Sequence, residues 1–210
     1  MDTKKLNNGL DIILQEKGTR KFTQSVEVIF NFRGVDFNKA ENRVNLDVFL
    51  PKGMGGKEPK VAIIAEENIA SEYKKAGAEL IILPNEIPAY AAPDKLKMLV
   101  RDYVLLAQPN QMANVAKNLG KYLGPRGKMP RPLIDKGESA VKKAKSSVKL
   151  VSKGKYLPVL QAFVGTENMS PQDLKENIEA VYEAIKNKVT EPCIKSIYVK
   201  MTMSKATKVM

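Results

Sequence analysis

Between residues 22 and 32 the chain alternates with period two. Phe22, Val26, Val28, Phe30 and Phe32 fall on one side; Thr23, Ser25, Glu27 and Asn31 fall on the other. That period predicts a strand with one buried and one wet face. Residues 44–50 repeat it with Val44, Leu46, Val48 and Leu50 inward. Residues 194–203 do so again, with Ile197, Val199, Met201 and Met203 facing one way and Ser196, Tyr198, Lys200 and Thr202 the other. Before the first strand, Leu6, Leu10, Ile13 and Leu14 share one helical stripe, which Asp2 or Thr3 can cap and Gly18 can end. Before the last, Ser170-Pro171-Gln172-Asp173 places a capping hydroxyl, a proline at the first helical position and an acid three residues after the cap. The helix it opens turns Leu174, Ile178, Val181 and Ile185 inward.

The middle of the chain has a different texture. Pro51-Lys52-Gly53-Met54-Gly55-Gly56-Lys57-Glu58-Pro59 is a Gly/Pro-rich break. After it, unbroken apolar runs at 61–65, 80–83 and 104–107 alternate with helical stretches ending near Gly77, Leu99 and Gly120. Short all-apolar strands separated by helices predict parallel βαβ units buried on both faces. A lysine-studded helical segment from Gly137 to Lys149 then leads to a strand at 148–151. A Lys153-Gly154-Lys155 turn and an apolar run at 156–164 follow. The expected fold class is α/β with two domains. Residues 1–57 and 148–210 form a discontinuous α+β domain, and residues 58–147 form an inserted Rossmann-like α/β domain. Two chain crossings at one hinge permit rigid-body opening.

Composition narrows the function. The 210 residues are 43% hydrophobic, enough for a real core, and carry a formal net charge of +12 with a pI near 9.6. Such a balance fits a polyanionic partner, with nucleic acid first and an anionic membrane second. No apolar run approaches the roughly 18 residues of a spanning helix. The opening residues, with Asp2, Lys4 and Lys5, lack a signal peptide's apolar stretch, so the expected compartment is the cytoplasm. With no histidine and one cysteine, the chain offers neither imidazole chemistry, a tetrahedral zinc set nor an internal disulfide. Cys193 reads as a buried structural thiol. No catalytic residue, metal or cofactor is expected.

Two regions are candidates for contact with the anion. If the two flanking segments share a sheet, the hydroxyls and charges of the first strand lie beside Ser196, Lys200 and Thr202 of the last. Hydroxyls bond phosphate and ribose, lysines neutralise phosphate, and a carboxylate accepts from a base amino group or a 2′-hydroxyl. The alternative is an ordinary solvated strand face. Lys153 and Lys155 should flank a turn near the same surface, or simply form a basic hairpin tip. The second region is Leu123-Gly124-Pro125-Arg126-Gly127-Lys128-Met129-Pro130-Arg131-Pro132, a stiff loop that presents Arg126, Lys128 and Arg131 with no acid nearby. A rival reading makes Gly124, Gly127 and Lys128 the phosphate cradle of a nucleotide-binding enzyme. The glycine strings of the known cradles are absent, however, and Glu66-Glu67 suits a helix N-terminus better than a catalytic dyad. A third reading, a basic membrane-surface helix at 137–149, lacks bulky apolar residues opposite its lysines.

The ten-residue loop closely resembles the signature of the ribosomal protein L-one family in its archaeal form. Lys21-Phe22-Thr23-Gln24-Ser25-Val26-Glu27, Leu50-Pro51-Lys52-Gly53, Gly165 through Ser170-Pro171, and Tyr198-Val199-Lys200-Met201-Thr202-Met203 also resemble family segments, in order and at suitable spacing. The resemblance implies a ribosomal protein that binds large-subunit rRNA of the 23S type at the mobile stalk near the tRNA exit site and aids release of deacylated tRNA. It also implies a translational repressor that binds its own mRNA. The implied partners are large-subunit rRNA, own mRNA, exit-site tRNA and other ribosomal components, with no membrane, and a monomer off the ribosome. The implied RNA contacts are Lys21, Phe22, Ser25 and Glu27 on the first strand and Ser196, Thr202 and Met203 on the last, with the basic loop as a secondary contact. By alternation Phe22 and Met203 point inward, so they would reach RNA only from strand ends. The family tends to have glycine after its Thr-Met pair, where this chain has Ser204.

Overall fold

A computed structural model describes residues 3–135, 137–152 and 157–210. The expected turn lysines Lys153 and Lys155 lie outside the described residues. The chain divides into two compact units, residues 1–58 with 146–210, and residues 59–145.

The first unit is built on a four-stranded antiparallel sheet. Helix α1 (Thr3–Leu14) precedes strand β1 (Ser25–Phe32), which lies between β8 (Val159–Thr166) and β9 (Ile194–Met201). A short β10 (Thr207–Lys208) extends the sheet beyond β9. Strands β2 (Asn45–Phe49) and β7 (Ser147–Val151) pair separately as an antiparallel ribbon. The inward residues of β1 are Val26, Val28, Phe30 and Phe32. They pack with the buried stripes of α1 and of α6 (Pro171–Lys188) in one apolar core. At the start of α6, Ser170 Oγ accepts from Asp173 N–H at 3.1 Å, so the capping sequence works as read. Both polar faces expected to meet do so. Antiparallel pairing of β1 and β9 sets Glu27 opposite Lys200 and Ile29 opposite Tyr198.

The second unit is a parallel sheet in the order β4 (Leu80–Ile82), β3 (Lys60–Ile64), β5 (Tyr103–Ala107), β6 (Arg131–Pro132). Alternate residues of β3 serve opposite cores. Ala62 and Ile64 join α3 (Pro93–Asp102) and α4 (Met112–Leu123), whereas Val61 and Ile63 join α2 (Glu67–Lys75) and α5 (Gly137–Lys145). Burial on both faces explains why these strands are apolar without alternation. The helix expected over 137–149 stops at Lys145. Its Ala140, Val141 and Ala144 are spent on the unit's own core, which leaves no apolar face for a bilayer. Among the described residues no helix is long and apolar enough to cross a membrane.

Candidate nucleic-acid interface

The candidate site sits at one end of the four-stranded sheet, where the chain enters β1 and leaves β9. Strand β1 starts at Ser25 and β9 stops at Met201, each shorter than the alternation suggested. This corrects the expected orientation of two side chains. Phe22 and Met203 lie beyond the strands, freed from the pleat, and are 50% and 55% exposed. Ile12, Phe49, Ile134 and Leu157 stand equally open elsewhere, so exposure alone does not mark the site; here, an exposed aromatic ring offers a base a stacking surface. Lys21, Thr23 and Thr202 are exposed beside them, and Ser25 and Glu27 are half-buried.

Hydrogen bonds bring the two segments together across 177 residues. Ser25 N–H donates to Thr202 Oγ1 at 3.0 Å. Thr202 N–H donates to the Ser25 carbonyl, also at 3.0 Å. The next bond inward comes from Gln24, which is fully buried: its Oε1 accepts the Met203 N–H at 3.1 Å. Gln24 is itself held by Glu167, only 4% exposed, just after β8. The carboxylate accepts from Gln24 N–H at 3.1 Å, Gln24 Nε2 at 3.3 Å and Gly18 N–H at 3.3 Å. Every donor aimed into this pocket is thus matched, as burial of a carboxylate requires. The node fixes the loop carrying Lys21 and Phe22 against the loop carrying Thr202 and Met203.

Ser204 folds back into its own turn. Its Oγ accepts the Met201 N–H at 2.8 Å. The hydroxyl thus gives the last N–H of the strand a partner within the turn.

Ser196 does not belong to the exposed patch. It is 6% exposed, opposite Asn31, whose Nδ2 donates to Ser196 Oγ at 3.1 Å. Beside it the register shifts, since the consecutive Asn31 and Phe32 pair with Ser196 and Ile194 and leave Lys195 of β9 as an extra residue, so simple alternation does not hold there. Cys193 departs in the other direction, being half-buried with its Sγ 3.4 Å from Thr190 Oγ1.

Sequence reasoning passed over two residues here. Lys57, read as part of a linker, reaches Thr23 O and Ser25 Oγ, each at 2.8 Å. Nothing local in sequence signals a contact spanning 32 positions. Gln24 did leave a signal: it is the one polar residue on the inward side of the first strand's pattern, and a polar group there needs a dedicated partner. Farther along β8, a cleft of about 400 Å³ opens beside Glu27, lined by Lys149, Val151, Val159, Gln161 and Phe163.

The basic loop of the second unit follows α4 and runs into β6. Gly127, at φ 63°, closes it through its N–H to the Gly124 carbonyl, and Lys128 N–H bonds back to Leu123 O at 3.0 Å. Arg126 is exposed, whereas Lys128 and Arg131 are half-buried, which corrects the expectation that all three cations stand outward. Arg131 is drawn in because its backbone pairs with Leu106 in the sheet. The loop opens no helix, so it lacks the backbone arrangement by which glycine-rich turns hold nucleotide phosphates.

Comparison with known proteins gives one consistent answer. The model of the "Ribosomal protein L1p/L10e family" matches residues 14–205. The "Large ribosomal subunit protein uL1" of Thermococcus kodakarensis is 42% identical over 197 residues, covering 90% of this chain and 89% of its own. The proteins of the same name from Methanocella arvoryzae and Thermoplasma volcanium are 36% and 38% identical. They cover 94% and 100% of this chain, and 94% and 97% of their own lengths.

Proposed function

This chain belongs to the ribosomal protein L1p/L10e family, and on that premise we propose that it is a structural constituent of the large ribosomal subunit that grips a folded segment of 23S-type rRNA. It works by recognition and catalyses no reaction. The binding surface is the sheet end of the discontinuous unit, with Lys21, Phe22, Ser25, Glu27, Thr202 and Met203 as its contacts. One observation carries this reading: the Gln24–Glu167 node and the Ser25–Thr202 bonds hold an exposed aromatic ring, an exposed thioether, two hydroxyls and a lysine at one place. Stacking surfaces beside hydroxyl donors suit unpaired bases and riboses, and the lysines suit phosphates.

On the ribosome the protein sits at the mobile stalk beside the tRNA exit site, in the cytoplasm, and aids release of deacylated tRNA. There the basic loop of the second unit, through Arg126, Lys128 and Arg131, makes a secondary contact with RNA. The same surface binds the protein's own mRNA where that message imitates the rRNA site, and so represses its translation. Off the ribosome it is a monomer.

The test is a titration with a large-subunit rRNA fragment containing the stalk, across a series of salt concentrations, against a random polyribonucleotide of equal length. Neutralising about five phosphates gives a slope of log affinity against log salt of roughly −4 to −5. Equal affinity for the two RNAs, or a nearly flat slope, would overturn the reading.

A further inference from the structure

The ammonium group of Lys57 touches the side chain of Ser25, a proposed RNA contact. Its Nζ donates to the Thr23 carbonyl and to Ser25 Oγ, both at 2.8 Å. An ammonium has three donors, so one is left over. Ser25 Oγ, accepting from Lys57, must turn its own O–H proton away from the positive charge, and no described residue receives it. Two donors therefore converge at the surface, one charged and one hydroxyl. Among RNA groups, a non-bridging phosphate oxygen pair accepts from both at once and cancels the charge.

The segment that carries Lys57 is seated, although its Gly and Pro content reads as a flexible linker. Thr166, fully buried at the end of β8, donates its hydroxyl to the Gly55 carbonyl at 2.8 Å. Gly55 has φ 63°, and a Cβ there would lie 2.6 Å from Thr166 Oγ1 and 2.7 Å from Met169 Cγ. The residues just upstream, Lys52 and Gly53, are held by Asn177, which is fully buried in α6. Its Oδ1 accepts Lys52 N–H and its Nδ2 donates to Gly53 O, each at 3.0 Å. The ammonium is thus delivered by a turn fixed at two points.

We propose that Lys57 Nζ and Ser25 Oγ form a two-donor clamp for a single backbone phosphate of the bound RNA, with Gly55, Thr166 and Asn177 as positioning residues. The clamp rests on the rRNA reading above and adds to it a specific anion, a residue outside the family-like segment at 21–27, and a direction for the Ser25 proton.

The experiment uses the full chain and the stalk rRNA fragment. Lys57→Met should weaken binding about tenfold and reduce the magnitude of the salt slope by about 0.7 to 0.9, the loss of one phosphate contact. Ser25→Ala should weaken binding several-fold with the slope unchanged. In the double variant the two losses should be less than additive, because the two groups serve one phosphate. Gly55→Ala, which keeps every charge, should lose affinity by moving the ammonium. A readout that a purely structural role would not move is an RNA series with single methylphosphonate substitutions. At one position the neutral linkage should weaken the wild-type protein and leave Lys57→Met unaffected. If the wild type binds with a steep slope but Lys57→Met keeps both slope and affinity, the clamp is wrong and the rRNA reading stands. If the wild type itself shows no preference for the rRNA, both fall.

Discussion

Replacing Glu167 tests whether the buried node builds the interface. In Glu167→Ala the Gln24 N–H loses its acceptor inside the protein, Gln24 Nε2 keeps only the long bond to the Glu16 carbonyl at 3.5 Å, and Gly18 N–H, only part-buried, can turn to water. A buried donor left without a partner costs roughly 1–3 kcal/mol, so one orphaned and one weakened donor cost about 3 kcal/mol. With a denaturant slope of about 2 kcal/mol/M, the urea midpoint should fall by about 1.5 M. Glu167→Gln keeps the shape and one acceptor oxygen but turns an NH2 toward the donors, and should lose about half as much. The more telling readout is RNA affinity at a temperature where the variants remain folded. Gln24 Oε1 orients the Met203 N–H, so a loosened Gln24 should cost Glu167→Gln roughly tenfold in binding, about 1.4 kcal/mol. A midpoint shift below about 0.5 M in Glu167→Ala would show that those donors find other partners. Unchanged affinity would show that the node stabilises the fold without shaping the site.

Three further outcomes can be checked separately. Gly9 packs so closely that a Cβ would collide with Val209 Cγ1 and lie 3.4 Å from Val199 Cγ2. Gly9→Ala should therefore destabilise by about 1–2 kcal/mol in urea unfolding, despite a gain of about 1 kcal/mol in helix propensity. Burial, reinforced by the hydrogen bond to Glu191, pushes the Tyr182 phenol up to about 12. Because the folded value is the higher one, its contribution is complete below pH 10 and disappears as pH rises toward 12. Stability measured against pH should show this loss in the wild type and not in Tyr182→Phe. Finally, replacing residues 59–145 by a short Gly/Ser linker should leave rRNA affinity within about threefold; loss of specific binding would place essential contacts in the second unit.

The elements were legible because each buries one kind of face. Period-two alternation marked β1 and β9, the capping sequence at Ser170 marked α6, and unbroken apolar runs marked the doubly covered parallel sheet. The two-residue strands β6 and β10 were not legible, since so short a pairing leaves no period to detect. Within the site, alternation failed at the strand ends. Phe22 and Met203 were placed inward by a pattern that holds only while the backbone remains pleated, and both strands had already ended. Ser196 failed for a different reason: its strand continues, but an extra residue of β9, Lys195, breaks the register beside it, and a position that parity alone leaves open is buried. Lys57 was hidden because its contact depends on where a turn is pinned by Thr166, a residue 111 positions away from the carbonyl it holds.

The failures at Phe22 and Met203 share a physical origin and fall where function is proposed. A regular strand fixes its side chains by geometry alone, so sequence parity suffices to place them. A site must break that regularity, because both faces of a pleated ribbon are committed, one to the core and one to its neighbours. Here the break is made by ending β1 and β9 together and replacing their ladder with side-chain bonds: Thr202 to Ser25, Gln24 to Met203, Glu167 to Gln24. Those bonds join segments from both ends of the chain, so the surface exists only once the discontinuous unit has closed. An RNA-binding surface assembled this way is coupled to the folding of its unit, and a variant that unties the node should lose RNA affinity and stability together. A variant at Phe22 or Met203, which meets solvent and holds no bond of the node through its side chain, should lose affinity alone.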